Sequence, residues 1–175
     1  MTGSEYKAAD KACHVHALSS SSSTSTSTMA TQGFQFNHTM YRVKDYKKSL
    51  DFYTRIMGMS LLDTHEGGDF TLFFLAFDKP GVNETAEEKK AGKFSREGIL
   101  ELTYNHGTEK EEGDVYSNGN TDPGRGFGHI AITVPDIKAA CEYFESQGVN
   151  WKKVRGKRSG VTQLTPPNSV SQMAK

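Results

Sequence analysis

Three residues of this chain have the types and placement to hold a divalent metal: His38, Glu101 and His129. Side chains alternate across a strand, so a strand through FNHTMYRV puts His38, Met40 and Arg42 on one face. A strand through GILELTY does the same for Ile99, Glu101 and Thr103, and one through FGHIAITV for His129, Ala131 and Thr133. If these strands turn equivalent faces to a common cleft, two imidazoles and one carboxylate converge there, a ligand set for a divalent transition metal. Glu101 is the most telling of the three. It interrupts ILEL in an otherwise apolar strand, where an unpaired carboxylate is costly and a bound cation compensates it.

The elements that must position these residues are written twice. When the chain is laid on itself so that His38 falls on His129, Val43 falls on Val134, Asp45 on Asp136, Leu50 on Cys141 and Tyr53 on Phe144. Gly58 and Gly148 match after a single gap. Each copy opens with a strand rich in β-branched and aromatic residues, Phe36 to Val43 and Phe127 to Val134. An amphipathic helix follows, N-capped by Asp45 or Asp136, with Leu50, Tyr53, Ile56 and Met57, or Ile137, Ala140, Cys141 and Phe144, at helical spacing before a glycine stop. The first copy continues into strands at about Met59 to Thr64, Phe70 to Phe77 and Gly98 to Tyr104, with a charged loop from Lys79 to Arg96. The fold class expected is α+β, built from paired βαβββ modules of which the second is incomplete.

Composition narrows the partners. Across 175 residues the Lys and Arg charges balance the Asp and Glu charges, which removes the long-range electrostatic case for nucleic acid or an anionic membrane. No apolar run approaches the roughly 20 residues that span a bilayer, so a soluble, cytoplasmic protein is expected. Cys13 and Cys141 cannot form a disulfide framework, and Cys141 falls on the buried helix face, where packing is its expected role. The glycines of PGRGFGH lack the rest of a phosphate-loop pattern. Residues 1–33, with an unbroken Ser/Thr tract, read as a disordered leader, and Met29 offers a second start. Residues 34–126 read as the first module and a linker, 127–153 as the start of the second, and 154–175 as a basic, poorly ordered tail.

The stretches NHTMYRVKD, KKSLDFYTRIMGM, LELTYNHGTE and NGNTDPGRGFGHIAITVPD, in that order and spacing, resemble glyoxalase I, within the vicinal-oxygen-chelate superfamily of paired βαβββ modules. The resemblance implies a lactoylglutathione lyase, which isomerises the methylglyoxal–glutathione hemithioacetal to S-lactoylglutathione. It implies His38, Glu101 and His129 as ligands of zinc (Zn2+) or nickel (Ni2+), with Glu101 also handling protons beside the substrate carbon. Arg42, Asn105, Arg125 and Lys153 match positions that bind glutathione, a flexible anion whose carboxylates suit arginine. A homodimer is compatible with the resemblance.

One part of the family pattern is missing. The fourth ligand, a second glutamate on the last strand of the second module, has no counterpart, because no Asp or Glu follows Glu145. The abrupt change of composition near Val154 is what a frame change or a retained intron produces. Two other readings follow. In one, the chain is a truncated, catalytically impaired glyoxalase I product that binds glutathione or metal weakly, or pairs with intact subunits. In the other it is a non-haem iron dioxygenase of the same superfamily, since two histidines and a carboxylate also make an iron triad.

Overall fold

The computed structural model describes residues 30–149, 151–152 and 163–164. The chain divides into two units, Met1–Phe34 and Gln35–Lys175. Of the expected leader, residues 1–29 lie outside the described residues, and residues 30–33 form an exposed turn. Lys153 and most of the tail also lie outside them.

The second unit holds one four-stranded mixed sheet in the order β1-β4-β3-β2: β1 His38–Arg42, β2 Ser60–Glu66, β3 Phe70–Ala76 and β4 Ile99–Asn105. β1 runs parallel to β4, and β3 is antiparallel to both of its neighbours. Each expected strand of the first copy is present, and helix α1, Tyr46–Asp51, joins β1 to β2. This is the βαβββ unit, and the described chain covers about one such module.

Alternation sorts the sheet into two faces. Tyr41, Val43, Phe73, Leu75, Leu100, Leu102 and Tyr104 point to the helical side and form the larger core with Phe52, Tyr53, Ile56, Met59 and Phe144. The opposite face carries a smaller apolar cluster, Leu62, Phe74, Ala76 and Ile99. His38, Arg42, Glu101 and Asn105 share that second face. Within the larger core the Tyr41 and Tyr53 hydroxyls hydrogen-bond each other, and burial pushes the Tyr53 phenol up to about 12.

The helix after β1 departs from the simple periodic expectation. Asp45 caps it, its carboxylate accepting from the Lys47 and Lys48 amides. After Asp51 the backbone widens into a π turn over Phe52–Ile56, closed by Met57 N–H donating to the Phe52 carbonyl at 2.9 Å. The wider turn buries Phe52 as well as Tyr53, whereas a regular stripe accounts only for Tyr53 and Ile56. Gly58 then ends it at φ 75°, a left-handed conformation that glycine adopts without a Cβ penalty. The repeat recurs here: helix α3, Ile137–Ser146, is capped by Asp136 through the Lys138 and Ala139 amides, and Gly148 follows at φ 67°. Its Phe144 enters the larger core, and Cys141 is half-buried on α3.

Three expectations require correction. Lys79 to Arg96 is not a plain loop, because it contains helix α2, Ala86–Ala91, and a 3₁₀ turn, Lys93–Ser95. The cause is a capping box, in which Thr85 accepts from the Glu88 amide and Glu88 accepts from the Thr85 amide. The strand expected at 127–134 is absent, and those residues belong to no sheet among the described residues. A strand persists only where a neighbour satisfies its backbone groups, and alternation alone supplies none. Beyond it a short antiparallel pair forms, β5 Trp151–Lys152 with β6 Gln163–Leu164, so the tail contributes strand backbone where none was expected. No helix among the described residues is long and apolar enough to cross a membrane.

Two predictions follow from this packing. Leu102 is fully buried at the centre of the larger core, so Leu102→Ala lowers the unfolding free energy by about 2–5 kcal/mol, read as a drop in the urea midpoint. Asp63 on β2 pairs with Lys93 and with Lys90, the latter at 3.0 Å. Burial would raise its carboxyl, but the hydrogen bonds from Lys93 and Lys90 outweigh that and hold it below the ordinary 3.8. The stability it contributes is therefore complete above that ordinary value and is lost as pH falls through the lower folded one. Denaturation of wild type and Asp63→Asn across an acid series should show a gap that closes only below pH 3.8. A gap independent of pH would refute the assignment.

Candidate functional site

The site lies on the less covered face of the sheet, where β1 and β4 run side by side. Their register sets His38 opposite Ile99 and Met40 opposite Glu101, so His38 and Glu101 are diagonal neighbours. The His38 Nε2 atom lies 3.2 Å from the Glu101 Oε2 atom. Glu101 keeps only 12% of its side-chain surface exposed, against 30% for His38. The Phe74 ring on β3, opposite Glu101 in register, meets the His38 ring edge to face at a centroid distance of 6.1 Å. β1, β3 and β4 thus each supply one wall.

The other nitrogen of His38 is also engaged. Nδ1 lies 2.8 Å from Asn37 Oδ1. The Asn37 amide nitrogen donates to the carbonyls of Lys93 at 2.9 Å and Arg96 at 2.7 Å. These carbonyls come from the 3₁₀ turn and the residue after it, held in turn by side chains. Lys93 pairs with Asp63 and sits over the Phe74 ring at 4.3 Å, and Arg96 donates to Glu84 at 2.6 Å.

A second polar pair stands further along the same face. Arg42 Nε donates to Asn105 Oδ1 at 3.3 Å, and the Tyr116 hydroxyl donates to the same oxygen at 3.0 Å. Tyr116 arrives on the segment that Lys44 ties down by donating to the Glu111 and Gly113 carbonyls. Glu101 and Asn105 lie four positions apart on β4, so the two pairs are separated by about 13 Å along the strand. Between them the buried Thr103 hydroxyl has no hydrogen-bond partner among the described residues.

Four of the seven site residues expected from sequence therefore come together on this face as two pairs, His38 with Glu101 and Arg42 with Asn105. Arg125 and His129 do not join them. Arg125 is exposed and forms a two-point pair with Asp122, at 2.8 and 3.0 Å. His129 is exposed in the unpaired segment, and no group of three His, Cys, Asp or Glu with metal-holding geometry occurs among the described residues. The neighbouring Phe127 ring meets Tyr41, a residue of the helical face, at 5.9 Å. Glu101 sits diagonally across from His38 because two strands pair, and the segment around His129 has no such pairing among the described residues. Lys153 lies outside the described residues.

The donor chemistry of the His38–Glu101 pair suits a cation. An imidazole nitrogen and a carboxylate oxygen aimed at each other are two of the donors a divalent metal takes, an incomplete set for a tetrahedral site. Three residues used by this arrangement carried no sequence signal: Asn37, Tyr116 and Lys93. Asn37 was visible only as the residue before His38, and the other two reach the site from segments distant in sequence.

Comparison with known proteins identifies the family. Residues 35–161 match the Glyoxalase/Bleomycin resistance protein/Dioxygenase superfamily. The chain is 58% identical over 123 residues to a lactoylglutathione lyase of Schizosaccharomyces pombe, spanning 69% of this chain but only 39% of that protein. It is 52% identical over 126 residues to the lactoylglutathione lyase of Pseudomonas aeruginosa, spanning 70% of each. Among solved structures, the trypanothione-dependent glyoxalase I of Leishmania major matches with a TM-score of 0.55 at 27% identity, over 78% of this chain and 81% of that one. The maize glyoxalase I matches at 0.56 and 26%, over 77% and 41%. The sheet, the order of its motifs and these likenesses place the chain in that superfamily, as a member of its lactoylglutathione lyase family.

Proposed function

We propose that this chain is a lactoylglutathione lyase that isomerises the methylglyoxal–glutathione hemithioacetal to S-lactoylglutathione. The observation that carries the reading is the His38–Glu101 pair on a face that also bears Arg42 and Asn105. His38 and Glu101 would hold the metal, zinc or nickel, which as a Lewis acid would stabilise negative charge developing on substrate oxygen. Glu101 would take the proton from one substrate carbon and return it to the next, within reach because the same carboxylate lines the site. Arg42 would grip a glutathione carboxylate, with Asn105 fixed beside it by Tyr116. An extended tripeptide spans roughly 10–11 Å, comparable with the ~13 Å between the two pairs. Arg125 and Lys153 would contact the outer part of that ligand, and the protein would work in the cytoplasm, as a monomer or homodimer.

The position of His129 favours a second reading. Two donors make half of a metal site, so this chain would instead bind metal and glutathione weakly, or complete its site with groups from an intact subunit. Thioester absorbance separates the two when purified protein, supplied with zinc or nickel, meets preformed hemithioacetal. The lyase reading expects turnover that Glu101→Gln reduces by about 100-fold to 10,000-fold and His38→Ala abolishes. Folded, metal-supplied protein with no turnover, restored by adding an intact relative's inactive subunit, would establish the second reading.

A further inference from the structure

We propose that Tyr116 is a positioning residue for a carboxylate of the ligand: it holds the Asn105 amide so that the NH2 group, beside the Arg42 guanidinium, is presented to that carboxylate. The direction of each hydrogen bond decides the orientation. Arg42 Nε carries a hydrogen and has no lone pair to accept with, so the Asn105 atom 3.3 Å from it must be the carbonyl oxygen Oδ1. An amide oxygen only accepts, so the Tyr116 hydroxyl, 3.0 Å from the same atom, donates to it. Both bonds act on one end of the amide and leave the other end open. Among the described residues no group accepts from Asn105 Nδ2 or from the two terminal nitrogens of Arg42.

The consequence is the chemistry of the subsite. The Asn105 NH2 and the exposed Arg42 NH2 groups are donors with no acceptor among them, so this end of the face suits a carboxylate and disfavours an ammonium. A reversed amide would set its NH2 against Arg42 Nε, donor to donor, and turn a carbonyl oxygen toward the ligand's anion. Tyr116 can hold the amide because its own segment is tied to the ends of β1 and β4. Lys44, just past β1, donates from Nζ to the Glu111 carbonyl and to the Gly113 carbonyl, the latter at 2.7 Å. The Thr108 hydroxyl is shared between the Lys44 carbonyl at 2.8 Å and the Asn105 carbonyl at 2.9 Å. The loop that delivers the tyrosine is thus anchored on the two strands that carry Arg42 and Asn105. That the carboxylate belongs to glutathione rests on the lyase reading, whereas the amide orientation does not.

The test is calorimetric binding of S-methylglutathione to the full, zinc-supplied chain, as a cycle of wild type, Tyr116→Phe, Asn105→Ala and the double variant. Tyr116→Phe removes only the hydroxyl and should weaken binding by about 2-fold to 12-fold, the worth of one hydrogen bond. In the Asn105→Ala background the same change should cost nothing, because the hydroxyl acts through Asn105. A hydroxyl that only stiffens its loop, or that touches the ligand itself, would cost the same in both backgrounds. No penalty in the wild-type background, or an equal penalty in both, overturns the proposal and leaves the lyase reading standing. If Tyr116→Phe does not fold, Lys44→Met, which releases the Glu111 and Gly113 carbonyls, takes its place in the cycle with the same expected pattern. Wild type that does not bind S-methylglutathione overturns the proposal together with the glutathione roles of Arg42 and Asn105. The expected cycle without turnover of the hemithioacetal counts against the lyase reading and supports the proposal.

Discussion

The parallel pairing of β1 with β4 is the interaction on which the site depends. A hairpin cannot make a parallel pair, so the chain from Val43 to Gly98 must leave the sheet, form α1 and the π turn, and return through β2, β3 and the charged connection before β4 can lie beside β1. Only then do His38 and Glu101, remote in sequence, become diagonal neighbours. The larger core enforces the arrangement from the opposite face, because Tyr41 and Val43 of β1 and Leu100 and Leu102 of β4 are buried in it. A one-residue slip would turn these apolar residues outward and bury His38 and Glu101. The hydrophobic pattern of one face thus fixes the register of the chemistry on the other.

The connection between β3 and β4 serves the same end by different means. It buries little, and its order comes from a capping box and from ion pairs shared with β2 and with its own ends. Exposed pairs contribute little individually, but here Asp63, Lys93, Glu84 and Arg96 are largely withdrawn from water. Arg96 shows the strain of that placement, since its Nε and Nη1 groups have no partner among the described residues. What this buried charge secures is the position of two backbone carbonyls, and those carbonyls orient Asn37.

Local signals were legible in the sequence and long-range ones were not. The caps at Asp45 and Asp136, the glycines that end both helices and the alternation of the first module's strands each depend on a few adjacent residues. His38 and Glu101 could be assigned to one face because alternation and pairing agree there. The π turn was illegible, since burying Phe52 beside Tyr53 is decided by the core and not by helical spacing. Tyr116 and Lys93 were illegible for the related reason that their roles belong to the segments they approach. The capping box at Thr85 and Glu88 was readable and was obscured by the charge around it.

The second copy of the pattern shows where a repeat stops being informative. Its helix forms and docks Phe144 in the core, because a helix satisfies its own backbone and needs only an apolar stripe. Its strand does not form, because a strand needs a neighbouring strand on at least one side to meet its N–H and C=O groups, and residues 127–134 have none among the described residues. His129 has the repeat position of His38 without the ladder that gives His38 its neighbour. Equivalent residues become equivalent ligands only when their strands find equivalent partners, so the second half of the site is a property of sheet pairing and not of the motif around His129.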